Sequence, residues 1–342
     1  MGGDATPAGL GASPSTSAPG RGLARRWALA GLGLGVLILL PLVFANPSTQ
    51  NLLILALMAA QLGVAWNIIG GYAGQISLGH AAFYGVGAYT STILFTRYGV
   101  NPWLAMPAAG AMAALLSLPI GWSCFRLRGH YFAMATIAVA EITQIVFNNW
   151  EFAGAAVGLT LPMDEDGFGV LIFASKLPYY YLALGLLVLS LGVSFAVEKS
   201  YLGFYFRAIK DEPDAAQSVG VSLARYKQLA LALSSFLTGL GGSLYAQKEL
   251  YIDPASVLST GLSIKIALAA ILGGVGTLFG PVLGAGILTA IEQLTRQLFG
   301  GSGRGGDLII YALLIICIAV YYPEGVLGWV LRHRARGKAP RP

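Results

Sequence analysis

Ten apolar stretches, each near the length that crosses a bilayer, govern what this chain can fold into. They lie near residues 27–45, 51–69, 76–96, 103–122, 131–150, 179–197, 229–247, 261–279, 281–298 and 307–322. A helix needs roughly 20 apolar residues to span the hydrocarbon core, and inside that core every backbone N–H and C=O must be paired. Charged residues make up 11% of the 342 positions, against roughly 25% in a soluble domain. No soluble domain of ordinary size fits between the apolar runs. The expected fold class is an all-α polytopic membrane protein with about ten transmembrane helices. Its eighth and ninth stretches are short and interrupted by Gly and Pro, as in broken or re-entrant segments.

The basic residues orient this array. Arg21, Arg25 and Arg26, then Arg126 and Arg128, then the segment Lys199 to Lys210, and finally Arg332, Arg334, Arg336, Lys338 and Arg341 all fall on one side of ten spans. The positive-inside rule makes that side the cytoplasm, with both termini there. The loop from Glu151 to Lys176 then lies outside, and it is net acidic. The net charge of +6 is therefore a signal of membrane orientation, and it does not point to nucleic acid. Residues 1–22 read as a disordered cytoplasmic tail, 23–330 as the transmembrane domain and 331–342 as a basic cytoplasmic tail. Arg21 to Arg26 precede an apolar run too long for a secretion signal, so this run is expected to stay as the first span. Cys124 and Cys317 are far apart in apolar context, which predicts neither a disulfide framework nor a metal cluster. No cofactor is expected.

The densest charge between the two ends is at Arg207 to Gly220, inside a cytoplasmic segment spanning 198–228. Local chemistry there suits a short helix. Asp211 is placed as N-cap, with Asp214 three residues on. Pro213 falls in the first turn, Ala215 and Ala216 favour helix, and Gly220 suits a left-handed stop. A solvated loop is the competing reading.

Polar residues inside the spans are the other candidates. The stretch Gly70 to Phe95 is dense in Gly and offers Gln75, Ser77, His80 and Tyr84. Such glycines permit close helix packing or an unwound segment lining a cavity. His80 is followed by Ala-Ala-Phe, so the HExxH pattern of a membrane metalloprotease is absent, and no nucleophile–base pair is evident. His80 reads as a packed polar residue or as a substrate or gating group. Glu141 lies mid-span, where a carboxylate is costly unless it is paired, protonated or facing water. It can line a path or be hydrogen-bonded inside the bundle. Lys265 can snorkel to the outer face or meet a substrate carboxylate. Glu292 and Arg296 are four apart and suited to pair. The glycines from Gly273 to Gly284 follow no strand, so they do not read as a dinucleotide loop.

Four stretches, in order, resemble one family. Gly71 to Tyr89 closely resembles G-Y-x-G-x-x-S-L-G-H-x-A-F-x-G-x-G-A-Y. Arg126 to Ala138 resembles R-L-x-G-x-Y-F-A-M-x-T-x-A, followed by the mid-helix Glu141. Gly273 to Ala285 resembles G-G-x-G-T-x-x-G-P-x-x-G-A, and Pro323 to Gly328 the closing P-x-G-hydrophobic-x-G. These are motifs of bacterial ABC-importer permeases for branched-chain amino acids, of the M type. The run Asp214 to Ala246 resembles the family's cytoplasmic loop and next helix, with Lys227 as the basic residue that opens that helix. Where the family has Thr-Gly-Gly after the Glu141 helix, this chain has Phe152 to Thr160 without it.

The resemblance implies an ABC importer permease fold in the bacterial inner membrane. It implies a sister permease, ABC ATPase subunits and a periplasmic substrate-binding protein as partners besides the lipid bilayer. It places ATPase coupling at Asp214, Ala215, Ala216 and Gly220, and the charged segment itself adds Arg207 and Asp211 to the expected coupling residues. The translocation path is expected near Gln75, Ser77, His80, Tyr84, Glu141 and Lys265. The chain has no Walker motif, so ATP hydrolysis belongs to the partners and the chain is not itself an enzyme. Urea or short amides are the alternative cargo. A proton-coupled transporter working through Glu141 is the alternative mechanism.

Overall fold

The computed structural model describes residues 20–44, 46–162 and 167–299, together with Leu313 and Ile316. The tail over 1–19, most of the tenth apolar stretch, the closing motif at 323–328 and the basic tail lie outside the described residues. The chain divides into two units, the first ending at Phe44. That unit holds α1 (Gly20–Val43), which contains Pro41 in its last turn.

In the second unit, local sequence sets the helix starts. Asn46 accepts a hydrogen bond from the Ser48 N–H at 3.0 Å, and Pro47 opens α2 (Pro47–Asn67). Asn101 and Pro102 repeat the device at α4 (Pro102–Cys124), where Asn101 accepts from the Trp103 N–H at 2.9 Å. The Asn oxygen satisfies a first-turn donor, and Pro sits where its missing N–H costs nothing. Between them is α3 (His80–Tyr98), ended by Gly99 in the left-handed region. Next come α5 (His130–Asn149), α6 (Leu177–Lys199), α7 (Tyr201–Asp211), α8 (Pro213–Ser218) and α9 (Leu223–Glu249). The short α10 (Pro254–Val257), α11 (Thr260–Gly273) and α12 (Gly280–Phe299) complete the described helices.

One departure from an all-helical chain is a pair of two-residue strands. β1 (Leu159–Thr160) pairs antiparallel with β2 (Tyr251–Ile252). Nine of the ten apolar stretches coincide with α1 to α6, α9, α11 and α12. Among the described residues, six helical segments are long and apolar enough to cross a membrane: Pro47–Tyr72, Pro102–Cys124, His130–Asn149, Leu177–Lys199, Leu223–Glu249 and Pro254–Gly273. α3 falls short because Gly, Tyr, Ser and Thr dilute it, and its first ten residues are buried in the bundle. An inner helix touches neighbouring helices and does not need a lipid-compatible surface. α12 carries Glu292 and Arg296.

Side-chain contacts sort the turns of the second unit to two ends. At one end, Lys210 Nζ donates to the Gly71 carbonyl at 2.9 Å, Arg128 pairs with Asp214 at 3.3 Å, and Asn67 Nδ2 donates to the Thr277 carbonyl at 3.0 Å. At the other, β1 meets β2, Trp103 Nε1 donates to the Phe168 carbonyl, and the Tyr179 hydroxyl donates to the Gln247 carbonyl. Successive long helices therefore alternate in direction, as in a serpentine through a slab.

α9 lies at the centre, packed on α3 and α4, with α2 alongside. A Cβ at Gly87 would strike the backbone of Gly239, and one at Gly242 would strike the carbonyl of Tyr84. A Cβ at Gly239 would lie 2.7 Å from that of Ala113 and 2.9 Å from the Ala109 carbonyl. Here the glycines serve close packing, one of the two uses open in the sequence. Gly239→Leu is therefore expected to cost at least about 1–3 kcal/mol through overpacking. Thermal unfolding in detergent checks this. Gly185→Ala and Gly192→Ala, whose added methyl groups meet open space, should leave the transition unchanged or slightly raised.

Candidate functional site

The charged segment at Arg207 to Gly220 forms two helices where the sequence suggests one. Pro restricts the residue before it to extended conformations, and Glu212 is accordingly extended at φ −150° and ψ 92°. The break falls there, so Asp211 ends α7 and Glu212 occupies the N-cap of α8, without a side-chain capping bond. The predicted Asp211 cap is corrected by the constraint that Pro213 imposes. The predicted stop holds: Gly220 has φ +92°, and the Val221 N–H donates to the Ala216 carbonyl at 3.0 Å.

The expected coupling residues divide by exposure. Asp211, Asp214, Ala215 and Gly220 are exposed, as is Val219 at 81%, whereas Ala216 is 5% exposed and packs against the chain itself. Arg207 is held by Glu198 at 3.0 Å. The Arg128–Asp214 pair is 74% and 66% exposed, so it contributes at most about 1 kcal/mol. Lys210 reaches further in, to the carbonyl of Gly71 in the π turn Ile68–Tyr72 that follows α2.

From that turn the chain runs without regular structure to Gly79. Side chains pair the backbone in this stretch: Trp66 Nε1 donates to the Ser77 carbonyl at 2.6 Å, and the Leu78 N–H donates to the Thr136 hydroxyl at 3.0 Å. Gln75 is half-buried and donates to the Ala73 carbonyl. Ser77 and His80 are fully buried in one cluster. Ser234 Oγ donates to the Ala65 carbonyl at 2.7 Å, which leaves it free to accept from His80 Nε2 at 2.8 Å. Nδ1 lies 3.2 Å from Ser77 Oγ. The imidazole thus bridges α2, α3 and α9 with both ring nitrogens engaged.

Tyr84 and Lys265, far apart in sequence, line one cavity of about 330 Å³ with Tyr245, Leu262, Glu292 and Arg296. Glu292 takes Lys265 at 2.9 Å and Arg296 at 2.9 Å, which includes the expected four-apart pair. Glu141 stands apart from these groups. It lies on the exposed face of α5, together with Met134, Ile142 and Ile145, and accepts a hydrogen bond from the Thr260 hydroxyl. Among the described residues, no group of three His, Cys, Asp or Glu side chains is placed to hold a metal ion.

Sequence reading missed Gln61, Asn67 and Ser234. Gln61 Nε2 donates to the Leu237 carbonyl at 2.8 Å and to Ser190. Asn67 takes the Gly276 N–H at 2.8 Å and so fastens the turn between α11 and α12. An amide at positions 61 and 67 of an otherwise apolar window is a visible signal, because a buried amide needs partners.

A family model described as branched-chain amino acid transport system / permease component matches residues 48–318. The high-affinity branched-chain amino acid transport system permease protein LivM of Escherichia coli K12 is 29% identical over 302 residues, covering 82% of this chain and 70% of its own length. LivH of the same organism is 23% identical over 284 residues, covering 79% and 91%. BraD of Pseudomonas aeruginosa is 24% identical over 287 residues, with the same two coverages. No solved structure matches the chain.

Replacing His80 by Leu leaves two buried hydroxyls short of a partner, with an expected cost of about 1–3 kcal/mol. Glu141→Gln, on an exposed face, is expected to change stability by less than about 0.5 kcal/mol. Paired denaturation curves in detergent read both.

Proposed function

The chain belongs to the branched-chain amino acid permease family, and on that premise we propose that it is the membrane subunit of an ATP-driven importer for branched-chain or other neutral amino acids. The observation that carries the proposal is α8. It is a short exposed helix at one end of the bundle, flanked by α7, whose Lys210 is hydrogen-bonded to the turn after α2. A partner ATPase gripping α8 would have a direct route to the interior helices.

In this reading the α8 end is cytoplasmic. It collects Arg126, Arg128, Lys199, Arg207, Lys210, Arg225 and Lys227, as the positive-inside rule requires. Ten spans, both termini on that side, a tail at 1–22, a transmembrane domain at 23–330 with coupling segment 198–228 and a basic tail at 331–342 complete the arrangement. A periplasmic binding protein would deliver cargo at the opposite end, where β1 and β2 meet.

The path runs along the open face of α5, between this chain and a sister permease. Glu141 supports this placement: a mid-span carboxylate facing lipid is costly, and one facing a water-filled path is not. Lys265 and Tyr84 contribute from their separate cavity, which Glu292 and Arg296 of α12 also line. Gln75, Ser77 and His80 shape the path from behind by holding the unwound stretch before α3. ATP hydrolysis belongs to the partner subunits.

Two measurements test this. Co-expressed ATPase subunits should co-purify with the wild-type chain and be lost with Ala215→Arg or Val219→Arg, both on the exposed face, while Arg128→Ala retains them. Absence of the ATPase from the wild type would overturn the coupling role. Uptake of labelled leucine should fail when ATP is depleted and survive an uncoupler, and Glu141→Leu should lower it without loss of the ATPase. The opposite pattern of energisation would favour a proton-coupled carrier, and competition by urea or short amides would reassign the cargo.

A further inference from the structure

Between the last turns of α4 and the first turns of α9, at the α8 end, lies an open groove of about 540 Å³. Its walls are Leu118, Trp122 and Phe125, and its rim carries Arg126 and Arg225. The floor is built from a close approach. Gln228 of α9 reaches across to donate to the Ser117 carbonyl at 2.9 Å, over Gly121, where a Cβ would strike its amide oxygen. Trp122 is 70% exposed, and with Leu115 and Leu118 it forms a stripe one face wide along α4. The Arg126 guanidinium lies 4.5 Å from the Trp122 ring centroid.

The charge at the rim is unbalanced. The carboxylates paired at this end, Glu198 and Asp214, go to Arg207 and Arg128. Among the described residues neither Arg126 nor Arg225 has a carboxylate partner. Lys227, two residues after Arg225 on α9, adds further positive charge. Two guanidiniums offer planar, forked donors suited to phosphate oxygens. They stand beside Trp122, an aromatic side chain in the last turn of a long apolar helix, and such rings are enriched at membrane interfaces.

We propose that this groove binds an anionic phospholipid, with its phosphate between Arg126 and Arg225 and its first acyl carbons along Leu118, Trp122 and Phe125. Free phosphate would satisfy the arginines and leave the apolar walls uncovered. A zwitterionic lipid would cover the walls and leave net positive charge at the rim. The inference needs only a bilayer around the α4–α9 face, and it stands or falls separately from the cargo and the ATPase.

The test uses the full chain in phosphatidylcholine nanodiscs, with Trp122 fluorescence isolated by subtracting Trp122→Phe. Brominated phosphatidylglycerol should quench Trp122 at a mole fraction about tenfold lower than brominated phosphatidylcholine. The double variant Arg126→Gln, Arg225→Gln should abolish that preference while keeping the wild-type melting temperature. Equal quenching by the two lipids in the wild type would overturn the site, as would a preference that survives the double variant. Loss of the preference on adding inorganic phosphate would show a free-anion site instead. Protection of Trp122 from both lipids by co-purified ATPase or sister permease would show a protein interface instead.

Discussion

The contact on which the rest of this bundle depends is the crossing of α3 and α9, where two backbones meet with no side chain between them. Gly87 lies against Gly239, and Gly242 against the Tyr84 carbonyl. In a bilayer, burying an apolar side chain between helices gains little over leaving it in lipid, so association depends on the number of atoms in close contact. Glycine supplies that contact by removing Cβ. Once α3 and α9 are close, α4 is drawn in through Gly110 and Gly239, and α2 through the bridge from Ala65 by Ser234 to His80. α3 and α9, which carry Ser, Thr and Gly along their contact, can then be enclosed by their neighbours.

That enclosure explains how irregular backbone survives inside the unit. The stretch from 73 to 79 and the turn from 274 to 279 have no helical hydrogen-bond ladder. Buried backbone groups need partners. Trp66, Thr136 and Asn67 supply several of them. Their polar atoms are therefore engaged in structure. Glu141 is different: its carboxylate takes one hydroxyl and otherwise faces outward from α5.

The helices were largely legible because their signals are local. Apolar length marked nine of the described helices, within four residues at most ends and within six or seven at the starts of α1 and α9 and the end of α11. The break at Glu212 was also local, but it follows from the constraint Pro213 places on its predecessor and not from Asp211's capacity to cap. The inward turn of Ala216 was not legible, because a six-residue helix has too few positions to show a periodic face. The meeting of Tyr84 with Lys265, and of His80 with Ser234, depends on which helices become neighbours. No spacing within one segment records that. Four family motifs in order pointed to the architecture without saying which of their polar residues hold the fold and which are left to act.

This division bears on how force would travel in the proposed importer. Arg207 ties α7 to Glu198 of α6 and Tyr205 stacks on Tyr226 of α9, and two further polar links differ in burial. The Arg128–Asp214 pair is exposed to water and weak, so it orients α8 more than it drives anything. The bond from Lys210 to the Gly71 carbonyl is partly buried, and it ends on a π turn. A π turn carries one more residue than an α-helical turn and marks functional positions more often than chance. It sits between α2 and the unwound stretch that leads to α3, next to Asn67, which also fastens the α11–α12 turn. A displacement of α7 would thus reach α2, α3 and α12 at one place. The route ends where α2, α3 and α12 share polar contacts, not at the open face of α5, so the path would be reshaped by movement of the helices behind it.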